Sequence, residues 1–131
     1  MPTDDVALYR PWHLRNFAAL QEYTATLLEE MREWVLALFV DGELGLLAVE
    51  TITRGSISGA KINVGHLICR GRSLKAAGYF LVHNHPSGDP TPSQMDIDFT
   101  RRLSMTSADC DMPMLCHLVV AKEGMKAVGG W

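Results

Sequence analysis

Cysteine is scarce in this sequence: Cys69, Cys110 and Cys116 are the three among 131 residues. They are odd in number and far apart, and no C-x-x-C pair exists, so a disulfide framework is not expected. Their use fits a reducing compartment and a buried or idle role. Basic charge is not in excess either. Twelve Lys and Arg stand against fifteen Asp and Glu, a formal charge of −3, which gives no nucleic-acid footprint. The small clusters Arg70-Gly71-Arg72 and Arg101-Arg102 read as solvated helix faces. No apolar run approaches the ~20 residues needed to cross a bilayer. The start, "MPTDDVALYR", is acidic and unlike a signal peptide. Repeats, low-complexity tracts and linkers are also missing. These absences lead us to expect a soluble cytoplasmic protein with no membrane partner.

What is present is an ordinary globular composition, with 47% hydrophobic and 21% charged residues. The length suggests one domain. A chain of this size buries roughly two-thirds of its unfolded surface and needs neither a disulfide nor a metal to fold. From about Pro11 to Met31, Leu14, Phe17, Leu20, Tyr23, Leu27, Leu28 and Met31 recur at helical spacing. "WVLALFV", the turn "DGELG" and "LLAVETITR" predict a β-hairpin. A Gly- and Ser-rich loop, "GSISGAKIN", precedes "VGHLICRGRSLKAAG", which reads as a helix weakened by its glycines. "YFLVH" predicts a buried strand. "PTPSQMDIDFTRRLSMTS" predicts a helix with Met95, Phe99 and Leu103 on one face, and "MLCHLVVA", "KEG" and "MKAVGG" a closing strand and hairpin. The irregular alternation implies an α+β fold, a sheet with helices packed on it. We divide the chain into an N-terminal helical segment, residues 1–32, packing on a domain formed by residues 33–131.

The most informative stretch is "HNHPSGDPTPSQMD". Residues i and i+2 of a strand share a face, so His83 and His85 project together and Asn84 points away. Pro86 has no amide hydrogen and ends the ladder there. Alone, H-x-H is a weak pattern, better explained as the partly buried polar groups of a turn. Ser93 and Asp96 have a plain reading as a capping box. Thr91 offers a competing cap, with Pro92 at the first helical position and Gln94 at the third. We expect Thr91 to cap, which would leave Ser93 and Asp96 together on one face of the first turns. Two imidazoles and a helix-borne carboxylate then form the three-ligand set of a catalytic zinc site, with one position open to water. A general base is still needed, and Glu22, Glu29, Glu30, Glu33, Glu43 and Glu50 are all candidates that periodicity does not separate.

These residues resemble the JAMM (MPN+) metalloprotease signature: H-x-H, seven residues, then S-x-x-D. The wording H-N-H-P-S-G-x-x-x-P-S-x-x-D is closer still to the RadC-like bacterial branch, and it is matched over fourteen positions. A weaker resemblance runs from Glu33 through the "TRGSIS" loop and the "HLVV" strand to the final "GGW". The resemblance implies a JAB/MPN-like (cytidine-deaminase-like) mixed β-sheet flanked by helices. It also implies one Zn²⁺ per chain held by His83, His85 and Asp96. Ser93 would stabilise the oxyanion, and Glu33, 50 residues before His83, would be the general base. Glu50 is the reserve for that role. The implied reaction is hydrolysis of a peptide or isopeptide bond in a protein or peptide substrate, with a ubiquitin-like conjugate one class that the family includes. RadC-like chains usually carry a helix-hairpin-helix segment before this domain, and none is seen here. "NVGH" stands where Pro-Arg-Glu is common, and Cys116-His117 where Asp-His is common. His66 and His117 could support the ligands, but a lone histidine is more often structural, so neither joins the expected site. Two alternatives compete with the enzyme: a DNA-repair-associated RadC-like module, which would need a basic surface, and a non-catalytic binding scaffold, which would have lost its ligands.

Overall fold

The computed structural model describes residue 25 and residues 28–53 and 62–128. The helix expected over Pro11–Met31, most of the N-terminal segment 1–32, most of the "GSISGAKIN" loop and the final "GGW" fall wholly or largely outside them. The elements run β1 (Val35–Val40), β2 (Leu46–Thr53), α1 (Val64–Ser73), β3 (Gly78–Asn84), α2 (Gln94–Asp109), β4 (Met114–Ala121) and β5 (Gly124–Ala127). The strands form one mixed sheet in the order β2-β1-β3-β4-β5. This is the α+β architecture that the alternation predicts.

The apolar runs explain the order of the strands. β1, β3 and β4 are buried at every position, as expected for central strands covered on both faces. β2 and β5, which mix exposed and partly buried positions, form the edges. β3 pairs antiparallel with β1 and parallel with β4. A parallel pair needs a crossover, and α2 supplies it. Alternation sorts the core into two layers. Leu36, Leu38, Phe80, Val82, Cys116 and Leu118 face one way. Val35, Ala37, Phe39, Tyr79 and Leu81 face the other way, against Leu67 and Ile68 of α1 and Leu103 of α2. Cys116 and His117 thus face opposite ways, as strand geometry requires.

Two local expectations need correction. The cap of α2 is Ser93, not Thr91. Ser93 Oγ accepts from the Asp96 amide at 3.0 Å, and Asp96 Oδ2 accepts from the Ser93 amide at 2.8 Å. Thr91 is occupied elsewhere: its amide and hydroxyl both donate to Asp89 Oδ1, at 2.9 and 2.7 Å. The reciprocal box satisfies two amides at once, whereas a Thr91 cap would have a proline in its first turn and one fewer amide to satisfy. The buried stripe of α2 is also rotated from the expected one. Asp96, Thr100, Leu103 and Ser107 are buried, while Met95 is 55% exposed. Hydropathy misplaced the face because the inward stripe carries polar residues to the site.

Cys69, Cys110 and Cys116 are free thiols. Among the described residues, no helix is long and apolar enough to cross a membrane.

Candidate metal centre

β3 ends at Asn84, and the site is built where it ends. The His85 amide still bonds the Val120 carbonyl at 2.9 Å, extending the pairing with β4 by one step. Pro86 then turns the chain. The Gly88 amide closes on the His85 carbonyl at 3.1 Å, and Gly88 has φ +95, open to glycine and strained for other residues. In turn, the Glu123 amide bonds the Gly88 carbonyl at 3.0 Å, docking the turn on the β4–β5 loop. "HPSG" is therefore a reversal that returns the chain to the start of α2. The capping box fixes Asp96 beside the two histidines.

His83, His85 and Asp96 each bring one ligand atom into a group whose members all lie within 4.8 Å of one another. The two imidazole Nε2 atoms are 3.0 Å apart. His85 Nε2 is 3.2 Å from Asp96 Oδ2, and His83 Nε2 is 3.5 Å from Asp96 Oδ1. Asp96 is 5% exposed and His83 fully buried. Burial pushes the Asp96 carboxyl up, but hydrogen bonds from His83 and Ser93 and the charge of His83 outweigh it. The net effect holds the carboxyl well below the usual carboxylate range.

The surrounding hydrogen bonds determine the tautomers. Thr100 donates its hydroxyl to the Asp96 carbonyl at 2.6 Å. It can then only accept from His117 Nδ1, also at 2.6 Å. His117 Nε2 is left as an acceptor, so His83 Nδ1, at 2.7 Å, is the donor to it. In the neutral ring, His83 Nε2 therefore carries a lone pair. His85 Nδ1 donates to the Asp89 carbonyl at 3.0 Å, so in its neutral ring His85 Nε2 carries one as well. With both imidazoles neutral, two lone pairs and a carboxylate converge; a proton on His83 Nε2 is what gives Asp96 the hydrogen bond and charge that lower its carboxyl. Such a set repels itself unless it shares a cation, and two imidazoles with one carboxylate are the donors of catalytic zinc. The residues present fit the metal.

His117 is the residue that sequence reasoning left out. It is fully buried, on β4, and joins Thr100 to His83. No pattern within one segment marks it, because it comes from a strand 34 residues beyond His83. A ligand histidine that donates its second nitrogen to such a partner keeps its orientation and tautomer. His66, by contrast, is exposed on α1. Burial, reinforced by the charge of His83, pushes the His117 imidazole well below its usual range. A histidine held neutral takes up its proton only on unfolding, so its contribution is present above about pH 6.5 and lost as pH falls. Urea unfolding of the metal-free protein is expected to show stability falling below that pH. His117→Gln should flatten the slope by up to about 1.4 kcal/mol per pH unit. In a competition titration, His117→Ala should bind zinc roughly 10- to 100-fold more weakly.

His85 and Asp96 open onto a cleft of about 350 Å³ lined by Glu33, His85, Pro86, Ser87, Ser93, Met95 and Asp96. Glu33 is half-buried just ahead of β1. Glu50 is elsewhere: its carboxylate pairs with Arg70 Nε, and it lines a separate pocket with His66 and Asn63. The structure thus sets four of the five expected site residues around one cleft, with His83 buried against His85 and Asp96, and leaves the reserve base outside it.

A family model described as the RadC-like JAB domain matches residues 14–128. The chain belongs to the RadC-like JAB domain family. It is 33% identical over 114 residues to a UPF0758 protein of Acidithiobacillus ferrooxidans, covering 85% of this chain and 51% of that protein. It is 34% identical over 116 residues to a UPF0758 protein of Pseudomonas savastanoi pv. phaseolicola, covering 88% and 50%. The chain therefore spans about half the length of the curated relatives it matches. The JAB-domain family includes metallohydrolases, and the mixed sheet with its two described helices accords with a JAB/MPN-like fold.

Proposed function

We propose that the chain is a zinc-dependent peptidase or isopeptidase that hydrolyses an amide bond in a protein or peptide, a ubiquitin-like conjugate being one substrate of that class. The observation that carries this reading is the convergence of two imidazole Nε2 atoms and a carboxylate, all within 4.8 Å of one another, at the edge of an open cleft. When held by His83 Nε2, His85 Nε2 and Asp96, zinc would supply water made acidic enough to react near pH 7 and a Lewis acid for the substrate carbonyl. Glu33 takes a proton from the attacking water and returns it to the leaving amine. The Ser93 oxygen accepts from the Asp96 amide, which leaves its hydroxyl hydrogen to donate to the developing oxyanion.

Purified, metal-replete protein is expected to hold about one zinc per chain by elemental analysis. Protein that holds none under those conditions would sink the proposal. Ser93 separates structure from catalysis. Ser93→Gly should cost only a few tenths of a kcal/mol, because glycine is a tolerated cap. It should lower turnover of a mixed peptide and isopeptide substrate pool about 100-fold, the scale of one lost oxyanion donor.

A further inference from the structure

Asn84 stands between the two histidines, on the opposite face of β3 from both of them, and is 2% exposed. Its side chain reaches the entrance of β1. Asn84 Oδ1 accepts from the Trp34 amide at 2.6 Å, and Asn84 Nδ2 donates to the Arg32 carbonyl at 2.9 Å. The two bonded groups flank Glu33 on either side.

The ladder shows why this matters. The β1–β3 register ends with Val35 opposite His83. Continued, it would set Trp34 opposite Asn84 and Glu33 opposite His85. One step further, the register would set Arg32 opposite Pro86, which has no amide hydrogen. The Arg32 carbonyl therefore has no Pro86 N–H to accept from, and Asn84 Nδ2 supplies the donor. A side-chain amide offers the same acceptor and donor as a peptide group, and Asn84 makes the rung in its place. Ordering the chain on both sides of Glu33 removes the freedom that would otherwise let its carboxylate swing out of the cleft. Aspartate would keep the acceptor for Trp34 but set a charge with no hydrogen against the Arg32 carbonyl. Alanine would remove both bonds.

We infer that Asn84 is a positioning residue for Glu33: it clamps the chain on both sides of the base, so that the strand carrying the ligands also aims the base. The inference rests on the proposed role of Glu33, and its test separates the two. Wild type, Asn84→Asp, Asn84→Ala and Glu33→Gln are loaded with Co²⁺. The visible absorption of each is followed against pH, since its inflection reports the ionisation of water that Glu33 faces. Glu33→Gln should displace the inflection by about one pH unit. Asn84→Asp should retain about one Co²⁺ per chain and show at least half of the displacement seen in Glu33→Gln. Hydrogen exchange at the Trp34 amide should quicken roughly tenfold in Asn84→Ala, the scale of one lost hydrogen bond, and change little in Asn84→Asp, which keeps the acceptor. An unchanged inflection in Asn84→Asp, or in Asn84→Ala with faster exchange at Trp34, overturns the inference by making the clamp structural only. Loss of Co²⁺ from Asn84→Asp also overturns it, because Asn84 would then serve the ligands and not the base. If Asn84→Ala does not fold, the near-isosteric Asn84→Asp decides. Wild type that takes up no Co²⁺ marks failure of the proposed metal function. An inflection unmoved in Glu33→Gln marks failure of the base assignment, and the clamp falls with it.

Discussion

Asp96→Ala is expected to abolish zinc binding while leaving the metal-free fold nearly as stable as before. The two effects diverge because the carboxylate has two tasks. One oxygen closes half of the capping box by accepting from the Ser93 amide. The other half, the Asp96 amide donating to Ser93 Oγ, involves only the backbone of residue 96 and survives the substitution. Ser93 is exposed, so water can replace the lost acceptor. Removing the carboxylate should therefore cost the helix at most about 1 kcal/mol. The metal loses one of three protein ligands, and the only charged one. Its affinity should fall by more than about 100-fold, beyond the effect of supporting groups. Thermal unfolding with and without zinc reads both consequences. Wild type at about 1,000 times its dissociation constant gains about 4 kcal/mol, and Asp96→Ala should gain almost nothing. Equal zinc-induced stabilisation of both proteins would remove Asp96 from the ligand set.

Glu33→Gln is expected to have the opposite signature: zinc retained and hydrolysis lost. Glutamine keeps the shape of the side chain and removes, among the described residues, the one carboxylate lining the cleft besides the proposed ligand Asp96. A general base contributes typically 10²–10⁴-fold, so about that loss is expected in single-turnover assays on the substrate pool at equal zinc content. Glu50→Gln is the control. It breaks the ion pair with Arg70, whose two side chains are 41% and 32% exposed. It should cost less than about 1 kcal/mol and leave hydrolysis unchanged. A Glu33→Gln protein as active as wild type, or an inactive Glu50→Gln protein, would reassign the base.

The two predictions draw on different kinds of information. Asp96 was legible in the sequence because its relation to Ser93 is local. Residues three apart at the start of a helix lie on one face whatever the rest of the chain does. Its neighbour relations were less so. Thr91 looked like the better cap by residue preference, and lost because Asp89 engages it in a turn that no helix rule describes. Met95 looked like part of the core stripe and is exposed at the cleft, because the inward positions of α2 are given to Asp96 and Thr100.

Glu33 was legible only through its resemblance to a family. Composition and periodicity left six glutamates equal. The structure separates Glu33 from Glu50 by strand pairing. Glu33 falls opposite His85 when the β1–β3 register is continued, whereas Glu50 lies opposite Ala37, well inside the sheet. His117 and Asn84 were hidden for the same reason. One was read as an ordinary structural histidine, and the other was set aside because its side chain points away from its neighbours.

By itself, the sequence determined the strands, the turn and the polarity of each segment, because these depend on spacings of two to four residues that the backbone dictates. It thereby placed two imidazoles on one face of a strand end and a carboxylate one turn into the following helix. The tertiary structure decided which glutamate reaches the cleft, which distant histidine orients a ligand, and which amide takes over the rung where the ladder fails. Those choices follow from strand order and register, which the packing of the whole sheet sets and no short segment encodes.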